Sequence, residues 1–166
     1  MKLFFTALVI VALVITMLSS SVFAVLTIDC SALTSVATFR CTRDQGFKRV
    51  IIRGYREAYG RNPGGMIDQN FLQNYKNARE AGYTYIDLYM FPCTGKPTCK
   101  SPQEQVNELV RFIYNNRVIV QTIWLDVEID RKAHNWEMGT NGNRQVLRQF
   151  YNAWKSTGLK FGILCM

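Results

Sequence analysis

Histidine is almost absent from this chain: His134 is the only one in 166 residues. With the cysteines scattered at positions 30, 41, 93, 99 and 165, that scarcity leaves no ligand cluster for zinc or another metal. It also argues against a nucleophilic triad, since no serine or cysteine stands near His134 at a recognisable elbow. A glycine-rich phosphate loop is missing too. After the first strand-like run stands Asp29-Cys30-Ser31-Ala32-Leu33, which disfavours the nucleotide-binding form of an open α/β sheet. Neither zinc-finger spacing nor a basic-aromatic module points to nucleic acid. Internal repeats and low-complexity linkers, the usual marks of a second domain, are absent.

Acids are also scarce, with 12 Asp plus Glu against 20 Lys plus Arg and a formal charge of +8. A basic surface suits anionic partners such as bacterial walls, acidic glycans or membrane surfaces. The longest apolar run, Leu3 to Leu18, follows the positive start Met1-Lys2. It is shorter than the ~20 residues of a spanning helix, and no basic stop-transfer cluster follows, so stable membrane insertion is not expected. Small residues at Ser19-Ser20-Ser21-Val22-Phe23-Ala24 place Val22 and Ala24 three and one positions before a cut. The expectation is a signal peptide over 1–24 and a secreted domain over 25–166, in the extracellular space or a lysosomal or phagosomal lumen. All five cysteines lie after the cut, where disulfides are the default. Their odd number leaves one over. Cys93 and Cys99, which flank a Thr-Gly-Lys-Pro-Thr turn, are the preferred pair.

Strand-like and helix-like stretches alternate along the remainder. Val25–Cys30 is a β-rich run, residues 33–45 read as a helix, and Arg49–Tyr55 is the second strand. A turn-rich insert, Tyr59–Gly65, leads to a helix over Asp68–Ala81 with Asp68 as its cap and Phe71, Leu72, Tyr75 and Ala78 on one face. Tyr83–Phe91 is strand three, and Ser101 caps a helix from Pro102 to about Tyr114 with Pro102 in its first turn. Val118–Ile129 reads as an unusually long strand four, Arg144–Ser156 as helix four and Lys160–Cys165 as strand five. Such alternation implies parallel strands with right-handed crossovers. The arrangement is either an open doubly wound sheet or part of a barrel. Oligomeric state is not legible.

Chemistry in α/β folds gathers at the carboxyl ends of strands, and this sequence puts acids there. Asp29 ends strand one, Asp87 lies late in strand three, and Asp126 and Glu128 end strand four. Alternation puts Trp124, Asp126 and Glu128 on one face, with the two acids roughly 6–7 Å apart at Cα. Two carboxylates on an apolar strand repel, and repulsion raises one pKa toward the range a general acid needs. Glu128, nearest the strand end and on the longer stem, is the expected proton donor, and Asp126 the partner expected to stay ionised. The bland alternative is a pair of surface acids bridged to Arg53 or Arg131. Arg53 and Tyr55 are expected on one face of strand two, either lining the same mouth or, equally, serving as a salt bridge and a core aromatic. Tyr89 and Trp124 are candidate stacking platforms for sugar rings, although strand aromatics are more often core.

Ile28-Asp29, Val50-Ile51-Ile52-Arg53-Gly54-Tyr55, Asn77-Ala78-Arg79-Glu80-Ala81-Gly82, Asp87-Leu88-Tyr89-Met90-Phe91-Pro92-Cys93 and Trp124-Leu125-Asp126-Val127-Glu128 together resemble the family 25 glycoside hydrolases, most closely their secreted eukaryotic branch. The resemblance spans about residues 26–164. It implies a partial TIM-like (β/α) barrel of about five parallel strands and four helices. It also implies a lysozyme that cuts the β-1,4 link between N-acetylmuramic acid and N-acetylglucosamine in peptidoglycan, without metal or cofactor. Glu128 maps onto the catalytic acid, Asp126 and Asp29 onto the supporting carboxylates, and Tyr55, Tyr89, Asp87, Trp124 and Arg53 are candidate substrate contacts. Family members continue through further strands that close the barrel, whereas this sequence stops at Met166. The expectation is therefore an unclosed barrel, with strands one and five not bonded to each other. A non-catalytic glycan-binding relative is the alternative function.

Overall fold

The computed structural model describes residues 25–57 and 64–165. The expected signal segment, and residues 59–63 of the turn-rich insert, lie outside the described residues. In chain order the elements are β1 (Thr27–Cys30), α1 (Val36–Asp44), β2 (Arg49–Arg56), β3 (Met66–Ile67), α2 (Phe71–Glu80), β4 (Tyr85–Met90), α3 (Pro102–Asn115), β5 (Ile123–Val127), α4 (Gly139–Ser156) and β6 (Phe161–Cys165).

The main sheet runs β1-β2-β4-β5-β6, and each neighbouring pair is parallel. Its order follows the chain without a reversal. Right-handed crossovers then place every helix on the same side, which is barrel-like winding and not the doubly wound alternative. Packing agrees with this. Val50 and Ile52 of β2, Ile86 and Leu88 of β4, and Ile123 and Leu125 of β5 form one buried cluster with Phe39 of α1, Phe71 of α2, Leu109 of α3 and Trp154 of α4. The other face of the sheet is left for polar side chains. Among the described residues β1 and β6 stand at opposite ends of the order and do not pair, as expected.

The helix signals were mostly sound. Ser101 and Glu104 form a reciprocal capping box at α3, with the Ser101 N–H donating to the Glu104 carboxylate at 2.8 Å. Gly82 ends α2 at φ +92°, and a side chain there would collide with the Arg43 guanidinium. Asp68 is not the cap of α2. Its carboxylate takes Arg53 Nε at 2.6 Å and the Asn70 N–H at 2.8 Å, and the helix begins only at Phe71.

Strand four is shorter than its apolar composition suggested, because Val118–Thr122 stays outside β5. Two backbone bonds still join it to β4, from the Gln121 N–H to the Ile86 carbonyl and from the Leu88 N–H to the Thr122 carbonyl. Side chains take the others: Gln121 Oε1 accepts the Ile86 N–H, and Asp87 accepts the Thr122 N–H. Helix α4 starts at Gly139, five residues early, across Gly-Thr-Asn-Gly-Asn that reads as loop. The two-residue β3, unforeseen from sequence, pairs antiparallel with Tyr55 and Arg56 on the edge of β2 that β1 leaves open.

The expected Cys93–Cys99 disulfide is present. Gln105, fully buried on α3, holds its loop from beneath. Its Oε1 accepts the Cys93 N–H and its Nε2 donates to the Cys93 and Lys100 carbonyls.

Candidate functional site

The polar face of the sheet carries a cavity of about 400 Å³. From β1 it receives Thr27 and Asp29, from β2 Ile51 and Arg53, and from β4 Tyr89 with Phe91 just beyond. Asp126 of β5, Glu128 after it and Leu164 of β6 complete the lining. These residues meet because strand alternation sends every second side chain to the same face, and the parallel register aligns neighbours: Asp29 lies beside Ile51, and Arg53 beside Tyr89. Five of the eight sequence candidates are thereby brought together: Asp29, Arg53, Tyr89, Asp126 and Glu128.

Asp126 is the electrostatic centre of the cavity. It is 4% exposed, and no described group hydrogen-bonds its Oδ1. Burial, and then the charges of Glu128, Asp29 and Glu57, push its pKa from 3.8 up to about 6. The raised pKa expected of this pair thus falls on Asp126, which at about 6 is still mostly ionised at neutral pH. It lies on the strand itself, in the apolar wall, whereas Glu128 stands one residue past the strand end and is half-buried. Burial also pushes the Tyr89 hydroxyl up to about 12, so it remains a donor at neutral pH. Arg53 is fixed by its 2.6 Å bond to Asp68, whose carboxylate is almost wholly buried.

The remaining candidates lie elsewhere. Tyr55 was expected beside Arg53, but the β2–β4 register shifts between those two residues. That irregularity turns Tyr55 to the helical side, where it is fully buried and donates to Glu108 of α3 at 2.8 Å. Asp87 and Trp124 bond each other, the indole N–H donating to Asp87 at 3.0 Å, and neither lines the cavity. Arg49 approaches the same carboxylate at 3.7 Å, so Asp87 serves as an anchor that orients the indole over Gly162.

One acid was missed. Glu57, 3% exposed, directly follows β2, and its charge reaches Asp126. Burial raises its pKa, assisted by Asp130 and opposed by Arg53 and Arg56. The available signal was the one that found Asp29: an acid at the carboxyl end of a parallel strand. Among the described residues no group of three or more His, Cys, Asp or Glu could hold a metal ion, and no helix is long and apolar enough to cross a membrane.

Comparison with known proteins bears on the family and the fold. A family model described as Lysozyme-like protein 1 matches residues 20–165. "Probable GH family 25 lysozyme 4" of Dictyostelium discoideum is 32% identical over 136 residues, covering 82% of this chain and 58% of that protein. "Lysozyme-like protein 5" of Caenorhabditis elegans is 34% identical over 136 residues with the same coverage. The chain thus spans 58% of the length of these relatives. In structure, it is similar to the catalytic domain of endolysin ply40 from bacteriophage P40 of Listeria monocytogenes. The TM-score is 0.54 at 18% identity, with 88% of this chain and 65% of that chain covered, a likeness of fold.

Proposed function

The chain belongs to the lysozyme-like protein 1 family, with family 25 glycoside hydrolases among its relatives, and from that premise we propose that it hydrolyses the β-1,4 bond between N-acetylmuramic acid and N-acetylglucosamine in bacterial peptidoglycan. One observation carries the reading. Asp29, Asp126 and Glu128 converge from two strands and a strand end on a single cavity, and one of them, Asp126, titrates at about 6.

Glycoside hydrolysis needs a proton delivered to the leaving oxygen and negative charge near an oxocarbenium-like centre. Glu128, at the rim on a flexible stem, reaches the bridging oxygen and supplies the proton. Asp126, deeper and hemmed in by Asp29, Glu57 and Glu128, stabilises the positive charge that develops on the sugar. With a pKa of about 6, Asp126 is mostly ionised at neutral pH and meets that charge as a carboxylate. Water then adds to the anomeric carbon, its proton restoring the Glu128 acid. Tyr89 donates its hydroxyl to a substrate oxygen, and Arg53, locked by Asp68, holds a fixed positive charge at the wall. No metal or cofactor enters this scheme.

Release of new reducing ends from purified peptidoglycan by the chain, but not by Glu128→Gln, is the expected result. Binding to walls without release would instead favour the non-catalytic glycan-binding reading. Export to an oxidising compartment is proposed as well. The charged start, apolar run and small residues before Val25, and the Cys93–Cys99 bond, support it.

A further inference from the structure

A second concavity, of about 440 Å³, adjoins the carboxylate cavity and shares Phe91 and Glu128 with it. Its far side is built from Ile129, Asp130, Arg131 and Lys132, the first residues of the loop between β5 and α4.

This loop is held in place from below. The Asn135 N–H donates to the Asp130 carbonyl at 2.9 Å, closing the turn, and Asp130 Oδ1 accepts the Lys132 and Ala133 N–H groups. Asn135 is 1% exposed and fully engaged. Its Nδ2 donates to the Pro92 carbonyl, and its Oδ1 accepts the Thr94 N–H and hydroxyl at 2.7 and 2.6 Å. Thr94 belongs to the disulfide loop, so the covalent staple and the basic turn form one unit. Ala133, Asn135 and Trp136 are buried, while Arg131 and Lys132 are exposed.

Surface cations are usually just solvated, and a basic chain has many. Three features set this pair apart. They flank the carboxylate expected to donate the proton, their backbone is anchored, and among the described residues neither cation is paired with an acid. Besides Glu128, the nearby acids are engaged, Asp130 by backbone N–H groups and Glu137 by His134 at 3.0 Å.

We infer that the groove lined by Arg131 and Lys132 is a subsite for an anionic substituent carried by the sugar next to the cleaved bond, and that it selects acidic over neutral glycans. The inference rests on the proposed glycosidase reading and deepens it. Muramic acid differs from glucosamine by a lactyl group, whose carboxylate is free in the unsubstituted sugar and becomes a neutral amide where a wall peptide is attached, the peptide then supplying carboxylates of its own. A guanidinium grips a carboxylate with two parallel bonds, and an ammonium adds a point charge.

The test is equilibrium binding of three tetrasaccharides: neutral chitotetraose, the alternating N-acetylglucosamine–N-acetylmuramic acid tetramer, and that tetramer bearing its peptides. The proteins are the wild type, Arg131→Ala/Lys132→Ala, and Lys76→Ala/Lys155→Ala, which removes equal charge from exposed positions on α2 and α4. The expected result is roughly tenfold tighter binding of the muramyl tetramer than of chitotetraose. That preference is lost in Arg131→Ala/Lys132→Ala and kept in Lys76→Ala/Lys155→Ala. Affinity for the peptide-bearing tetramer that matches or exceeds that for the free muramyl tetramer, and that the groove variant abolishes, assigns the anion to the peptide. A fall in affinity on adding the peptide assigns it to the lactyl carboxylate. No preference in the wild type, a preference that survives Arg131→Ala/Lys132→Ala, or an equal loss in the remote variant overturns the inference. Hydrolysis of the muramyl tetramer is scored in parallel. Hydrolysis without preference defeats the groove alone, and preference without hydrolysis defeats the glycosidase reading alone.

Discussion

Replacing Asp126 by Asn should stabilise the fold at neutral pH while destroying activity. In the native chain this carboxyl is 4% exposed, lacks a described partner at Oδ1 and faces Glu128, Asp29 and Glu57. Its pKa rises from 3.8 to about 6 on folding. A group whose folded pKa lies above its unfolded value supports stability fully below the unfolded value. That support is lost as the pH rises through the folded value. Asp126 therefore opposes folding increasingly between about pH 4 and pH 7. Fully expressed, the displacement would amount to about 3 kcal/mol. Water in the open cavity screens the charges, which brings the expected effect to roughly 1–2 kcal/mol. Asn does not titrate. Urea unfolding of both proteins at pH 4 and pH 7 should show Asp126→Asn gaining that amount relative to wild type between the two pH values. Any fixed cost of the buried amide cancels in the difference. A stability difference that is the same at both pH values would refute the electrostatic account of this site.

Gly162 sits under the Trp124 ring, where an added Cβ would come within 2.6 Å of it. Gly162→Ala should destabilise by about 1–3 kcal/mol and shift tryptophan emission, and unchanged unfolding with unchanged emission would contradict this packing. Exported protein should begin at Val25, and N-terminal sequencing that starts at Met1 would contradict the proposed cleavage.

The parts of the molecule set by periodicity were readable in advance. Apolar strand runs and capped helices foretold the parallel sheet, and alternation on β5 brought Asp126 to the same cavity as Asp29. Readings that depended on competition for a partner failed. Asp68 has the composition of a helix cap, but the Arg53 guanidinium is the stronger ligand and takes it. Tyr55 obeys alternation until the β2 irregularity reverses it, and nothing in Arg53-Gly54-Tyr55 announces a bulge beyond a glycine with several other uses. Val118–Thr122 is apolar enough for a strand and keeps two backbone bonds to β4, yet the Gln121 and Asp87 side chains accept the Ile86 and Thr122 N–H groups. The charge assignment within Asp-x-Glu turned on depth. Stem length and distance from the strand end make Glu128 the proposed acid, while the raised pKa falls on Asp126, which the cavity wall shields from water.

Product analysis tests the proposed muramidase action most directly. Purified peptidoglycan is digested with the wild type and with Glu128→Gln, the new reducing ends are reduced with borohydride, and the terminal sugar is identified by mass spectrometry. The account predicts reduced muramic acid from the wild type and a loss of about 10²–10⁴ in rate from Glu128→Gln, the usual worth of general acid catalysis. Reduced glucosamine as the new end, or equal release by the two proteins, would contradict it.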